Sequence, residues 1–215
     1  MAQTWKDEDI SLEPIKDQTI AVIGYGIQGD AQANNMKDSG LNVVIGLKEG
    51  GTSWQKAKDD GHEVFSVTDA CKKADIIHIL IPDMIQAKVY KEEIAPNLSE
   101  GNALSFSHAA AIYWKWIDVP DNVDVIMVAP KGPGSKVRET YLENFGTPSI
   151  VAVEQDKTGK AWDRTLGIAK AIGSARAGLI KTTFKEEDET DWFGEQADLC
   201  GGSASMVVNA FETLV

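Results

Sequence analysis

The sequence predicts an α/β fold: a Rossmann-type, doubly wound and mostly parallel sheet, followed by the beginning of an all-α domain. Three observations carry this. Short, β-branched apolar runs alternate with helical stretches, a glycine-rich turn follows the first strong run, and the pattern changes character near Lys181. Continuous apolar runs of four to six residues suit strands covered on both faces, as in a parallel sheet. Their alternation with helices predicts helices on both sides of that sheet.

The predicted strands are Thr19–Ile23, Leu41–Ile45, Ile76–Ile81, Ala103–Phe106, Val123–Val128 and Ser149–Val153. Helices are expected over 28–39, 53–60, 67–73, 84–93 and 157–172. Residues 1–182 then form one dinucleotide-binding domain. Residues 183–215 read as the start of a helical domain that stops unfinished, with Met206, Val207, Val208, Phe211, Leu214 and Val215 on a helix that needs a partner. This predicts association as at least a homodimer.

Bulk composition narrows the function. Hydrophobic residues make up 43% and charged residues 25% of the 215 positions, as in ordinary globular proteins. The net charge of −12 argues against a nucleic-acid partner, which requires a basic footprint. No apolar run is long enough to cross a bilayer, and the first residues lack a secretory signal, so a cytoplasmic protein is expected. Cys71 and Cys200 lie far apart, without metal-type spacing, and are read as reduced, buried residues.

The strongest motif is Gly24-Tyr-Gly-Ile-Gln-Gly29. It follows a predicted strand and opens a helix, the context that a dinucleotide fingerprint requires. The first glycine permits the tight turn, the second lets backbone approach a pyrophosphate, and the third lets helix and strand pack closely. Gly24, Tyr25, Gly26, Ile27, Gln28 and Gly29 are therefore candidate cofactor residues, with free N–H groups and the positive helix end facing the phosphates. Asp30 puts negative charge near those phosphates. After the second strand, Lys48, Thr52 and Ser53 are suited to a 2′-phosphate and favour NADP, whereas Glu49 keeps NAD possible. Pro82, Asp83 and Gln86 follow the strand at 76–81, where the carboxyl end faces the ligand crevice.

Several segments together resemble ketol-acid reductoisomerase, also called acetohydroxy-acid isomeroreductase. They are Gly24–Gly29, Val128-Ala-Pro-Lys-Gly-Pro-Gly134, Thr182 to Gln196, Leu199-Cys-Gly-Gly202 and Phe211-Glu-Thr-Leu-Val215. The resemblance implies an oxidoreductase of branched-chain amino-acid biosynthesis. Its small-molecule substrate is a 2-hydroxy-3-keto acid, 2-acetolactate or 2-aceto-2-hydroxybutyrate, converted to a dihydroxy acid by magnesium-dependent alkyl migration and NADPH reduction. It also implies that Asp191 and Glu195, spaced i, i+4 on one helix face, ligate magnesium. His108 and Lys131 join them as catalytic residues, and Gly134 lies near the cofactor because a missing side chain lets a ligand approach.

Glu186, Glu187, Asp188 and Glu189 are read as capping or solvating the helix start, and His62 and His78 as having no functional context. The family supplies further magnesium ligands from later helices, so this chain by itself is expected to be catalytically incomplete. Two other readings are a metal-independent hydroxyacid-type dehydrogenase and a non-catalytic dinucleotide-binding module.

Overall fold

The structure is a computed structural model that describes residues 2–215. Its centre is a nine-stranded sheet: β1 (Thr4–Trp5), β2 (Thr19–Ile23), β3 (Asn42–Gly46), β4 (Glu63–Phe65), β5 (Ile76–Ile79), β6 (Ala103–Phe106), β7 (Asp124–Pro130), β8 (Ser149–Gln155) and β9 (Leu179–Lys181). The spatial order is β1-β9-β8-β7-β6-β5-β2-β3-β4. From β4 to β7 every pairing is parallel, as expected from the apolar runs. The β7–β8 and β1–β9 pairings are antiparallel, while β8 and β9 run parallel.

Strands β1, β4 and β9 are absent from the predicted set, because two- or three-residue segments are too short to show a period. The chain winds outward from β2 to β4, then returns to place β5 on the other side of β2. That reversal is the switch point at which an open α/β sheet leaves its ligand crevice.

The helices that matter for the crevice are α1 (Ile27–Asp38), α2 (Thr52–Asp59), α3 (Val67–Lys73), α4 (Asp83–Val89), α5 (Ala110–Tyr113), α6 (Gly134–Leu142) and α7 (Ala161–Ala171). Helix α6 was not legible, since it buries only Gly134, Val137 and Tyr141. The predicted helix at 84–93 is α4 followed by a π turn over Tyr90–Ile94, and the one at 157–172 starts only at Ala161. Asp156 accepts from Ala161 N and Asp124 accepts from Lys157 N and Thr158 N, which holds 156–160 as a loop.

Two apolar layers cover the sheet. Ile20, Val22, Met36, Ile126 and Ile168 belong to one, and Ile23, Ile77, Leu104, Met127 and Phe184 to the other. Phe184, 2% exposed, seats the first turn of α9 (Phe184–Gly194) against the sheet, its ring T-shaped to that of Phe106. After α8 (Ser174–Ala177) and β9, the chain therefore packs α9 back over the carboxyl ends of the strands. A π turn over Glu195–Leu199 follows, then α10 (Gly202–Leu214), on which no residue is buried. Cys71 is buried as expected, but Cys200 is exposed because its segment has nothing packed over it.

Candidate functional site

The glycine turn is built by close backbone approach. Gly24 adopts φ +104, and a Cβ there would stand 2.6 Å from Leu80 O at the end of β5. Gly29 passes so close to Gly24 that a Cβ would lie against its carbonyl oxygen. In front of Gly26 there is open space: nothing lies within 4 Å of a Cβ built on it. Gly26 also caps α1, so the positive end of that helix faces the gap.

The gap opens into a cavity of about 580 Å³ lined by Gly24–Gln28, Ser53, Pro82, Asp83, Gln86, Ser107 and His108. A second recess, about 490 Å³, runs past Gly24 to Lys48 and Glu49. Lys48, Thr52 and Ser53 share a smaller recess of about 150 Å³ at the start of α2. The walls fit a dinucleotide on two counts. The space before Gly26 is one that a side chain would fill, and the Gln86 Oε1 acceptor is buried without a partner. The Gln86 amide donates to Ile81 O and Asp83 Oδ1, which aims that oxygen away from the helix start.

Several candidate residues serve otherwise than the sequence suggests. The Tyr25 side chain turns inward, its hydroxyl donating to Asp60 Oδ2 and accepting from Asn34. Gln28 donates to Gly132 O, tying the glycine turn to the loop that carries Lys131. Gly134 is required because α6 presses on α1: a Cβ there would clash with the Ile27 carbonyl oxygen. Helix contact is thus one constraint on Gly134, which also borders a groove beside Gly26. Asp30 is not a free charge beside the phosphates, since Lys56 pairs with it and Asn34 donates to it.

At the mouth of the cavity, α9 brings carboxylates to the end of β6. Lys131 Nζ lies 2.8 Å from Glu187 Oε1 and 2.9 Å from Asp191 Oδ1. His108 Nδ1 lies 3.1 Å from Glu187 Oε2 and 3.5 Å from Asp191 Oδ2, and Ala109 N donates to the same Glu187 oxygen at 2.8 Å. Glu187 is 1% exposed, which overturns its reading as a helix-start or solvated acid. Thr183 is the N-cap instead, accepting from Glu186 N. An acid at the third helical position is the expected partner of a threonine cap, so position alone could not separate Glu186 from Glu187.

Asp188 is equally buried, held by Trp114 Nε1 at 2.9 Å, while its other oxygen has no partner. The signal that could have found both is helical: Phe184, Glu187, Asp188 and Asp191 lie on one face.

Electrostatics reinforce the cluster. Burial works against the Lys131 ammonium and the His108 imidazolium, but their bonds and charges from Glu187 and Asp191 outweigh it and hold both pKa values above normal. Burial likewise raises Glu187, yet His108 and Lys131 bring its carboxyl below the ordinary range. Asp188 is pushed up, first by burial.

The hydrogen bond from Glu195 N to Asp191 O keeps the two acids one turn apart, where the π turn begins. Asp191 is inside the cluster, with about a third of its side chain exposed. Glu195 accepts from the Cys200 thiol and makes no contact with His108 or Lys131. Carboxylate oxygens suit a hard dication, and two of them supply part of the roughly six ligands magnesium takes.

A sheet with this switch point, a glycine turn with open space before it, and a cavity reaching a histidine held by carboxylates define a dinucleotide-dependent oxidoreductase fold. Comparison with known proteins narrows it. Residues 14–178 match the family described as acetohydroxy acid isomeroreductase, NADPH-binding domain, and residues 184–215 match the ketol-acid reductoisomerase C-terminal domain. The chain belongs to the ketol-acid reductoisomerase family.

It is 86% identical over all 215 residues to a ketol-acid reductoisomerase (NADP(+)) of Nitrosopumilus maritimus, and 81% identical to one of Cenarchaeum symbiosum. In both comparisons it spans 65% of the relative's length. The solved structure of an NADH-preferring ketol-acid reductoisomerase from an uncultured archaeon superposes with a TM-score of 0.95 at 48% identity, covering 99% of this chain and 66% of that one. A semialdehyde dehydrogenase NAD-binding protein from Cupriavidus necator, 22% identical at TM-score 0.74, shares the fold.

Proposed function

We propose that this chain is the cofactor-binding part and first catalytic helix of a ketol-acid reductoisomerase acting on 2-acetolactate and 2-aceto-2-hydroxybutyrate. The observation that carries it is the double membership of His108, which lines the dinucleotide cavity and also touches Glu187 and Asp191. A site for hydride transfer and a site for carboxylate-held cations thus share one wall.

Gly24, Gly26, Ile27 and Gly29 hold the pyrophosphate, and Pro82, Asp83 and Gln86 border the nicotinamide half. Lys48, Thr52 and Ser53 favour NADP over NAD. When bound, magnesium supplies Lewis-acid polarisation of the adjacent substrate oxygens and NADPH supplies the hydride. Asp191 and Glu195 are the residues of this chain that would hold the metal. Glu187 positions Lys131 and His108 so that both present protons toward the substrate side of the cavity. The division into residues 1–182 and 183–215 has the support of two family matches that meet between 178 and 184.

The reading of a homodimer or larger assembly is supported by α10, where Met206, Val207, Val208, Phe211 and Leu214 are each more than half exposed. No helix is long and apolar enough to cross a membrane, and a cytoplasmic site of action accords with the substrate class.

The test is a pair of assays. The 215-residue chain should bind NADPH, seen as a change in nicotinamide fluorescence, without consuming it in the presence of acetolactate and magnesium. A polypeptide of the relatives' full length should consume it, and lose that activity with EDTA or with Asp191→Asn. EDTA-insensitive reduction of acetolactate sinks the reading.

A further inference from the structure

A buried chain of side chains connects the centre of the sheet to the cavity wall, and its polarity can be worked out link by link. Gly132 O is an acceptor only, so the Gln28 group 3.0 Å from it is the amide nitrogen. Gln28 Oε1 therefore faces Gln32, which must present its own nitrogen, at 3.0 Å. That turns Gln32 Oε1 toward His78 Nε2, at 2.8 Å, and the ring nitrogen there must carry the hydrogen. His78 Nδ1 is then bare and accepts from the Ser105 hydroxyl at 2.8 Å.

Gln32, His78 and Ser105 are completely buried, so no water competes for these bonds. Burial also lowers the His78 pKa to about 4, which keeps the ring neutral with one donor and one acceptor.

One hydrogen of the Gln32 amide remains, and it goes to Ser107 Oγ at 3.1 Å. Ser107 accepts, so its own hydrogen is left over. Among the described residues it finds no acceptor, and the residue lies on the wall of the cavity between the glycine turn and His108.

We propose that Ser107 binds the dinucleotide, donating its hydroxyl hydrogen to an acceptor oxygen on the pyrophosphate–nicotinamide half, with the donor direction imposed by His78 and Gln32. This rests on the dinucleotide reading above and adds to it a contact and the device that orients it. Gln32 shares its two hydrogens between Gln28, in the phosphate turn, and Ser107. Ser107 shares its cavity with Gly26, Pro82, Asp83, Gln86 and His108, so the oxygen that meets it is one beyond the adenosine moiety.

The experiment titrates the chain with two probes, NADPH and adenosine 2′,5′-bisphosphate, which lacks the pyrophosphate–nicotinamide half. Ser107→Ala should bind NADPH about five- to tenfold more weakly, the scale of one lost hydrogen bond to a ligand, and the bisphosphate unchanged. Ser107→Thr, which keeps the hydroxyl, should restore NADPH affinity to within about twofold. Equal NADPH affinity in wild type and Ser107→Ala overturns the proposal, and so does an equal loss for both probes, the mark of a structural role.

Nitrogen-15 NMR supplies a check independent of ligand. His78 should show a protonated Nε2 and a bare Nδ1 at neutral pH, and the opposite tautomer reverses the whole chain and overturns the assignment. If wild type binds neither probe, the dinucleotide reading itself fails and takes this inference with it. Binding to wild type with no effect of Ser107→Ala refutes only the inference.

Discussion

Glu187 receives the Lys131 ammonium at 2.8 Å on one carboxylate oxygen and His108 Nδ1 at 3.1 Å on the other. A single buried acid thus fixes the Lys131 ammonium and the His108 ring at the cavity mouth. Glu187→Gln keeps the shape and removes the charge. It should lower unfolding free energy by about 1–3 kcal/mol, less than a fully buried pair because Lys131 is partly exposed. Urea denaturation measures this. Lys131→Met in the same background should recover part of the loss, since the stranded ammonium is then gone, and strictly additive effects would show that the two residues are uncoupled.

The glycine turn offers a contrast between two alanine substitutions. Gly26→Ala meets open space and should leave stability within about 0.5 kcal/mol, yet weaken NADPH binding roughly tenfold or more, because the methyl group stands where a phosphate approaches. Gly134→Ala drives a methyl group into the Ile27 carbonyl and must push α6 from α1. It should cost about 1–3 kcal/mol, a fall in Tm of roughly 2–12 °C. Thermal melts with and without NADPH separate the two effects.

His78 predicts a specific acid sensitivity. Its folded pKa of about 4 lies below the ordinary value of 6.5 through burial, so the unfolded chain takes up the proton first. Stability from this group is therefore complete above pH 6.5, declines as the pH falls toward 4, and levels off below. The total is on the order of 3 kcal/mol. Urea midpoints between pH 7 and 4 should fall more steeply for wild type than for His78→Asn, and parallel profiles would exclude the effect.

Trp114 Nε1 donates to the buried Asp188 carboxylate at 2.9 Å. Trp114→Phe removes that bond from a buried acid, a loss of about 1–3 kcal/mol. Replacing Asp188 by Asn in the same background should return part of that stability, as an amide is cheaper to bury unpaired than a carboxylate.

The sequence announces the sheet interior plainly, because a strand buried on both faces must be largely apolar, as residues 20–23 are and as Ile76–Ile79 is apart from His78. The glycine turn is equally legible, since backbone that must approach backbone admits only glycine at Gly24 and Gly29. Lys131 and Asp191 are found through motif resemblance, and the fold brings them to 2.9 Å.

What escaped was whatever depends on partners distant in sequence. Glu187 reads as one of four consecutive acids, and only the packing of Phe184 onto Phe106 turns it inward toward β6. His78 looks like an isolated polar residue in an apolar strand until Gln32 and Ser105 are seen on either side of its ring.

The outermost strands have a consequence for self-assembly. One margin of the sheet is Thr4–Trp5 and the other Glu63–Phe65, so each presents two or three residues of free backbone. That is too little for a neighbouring molecule to extend the ladder, and fibrous growth by strand addition is blocked at both flanks.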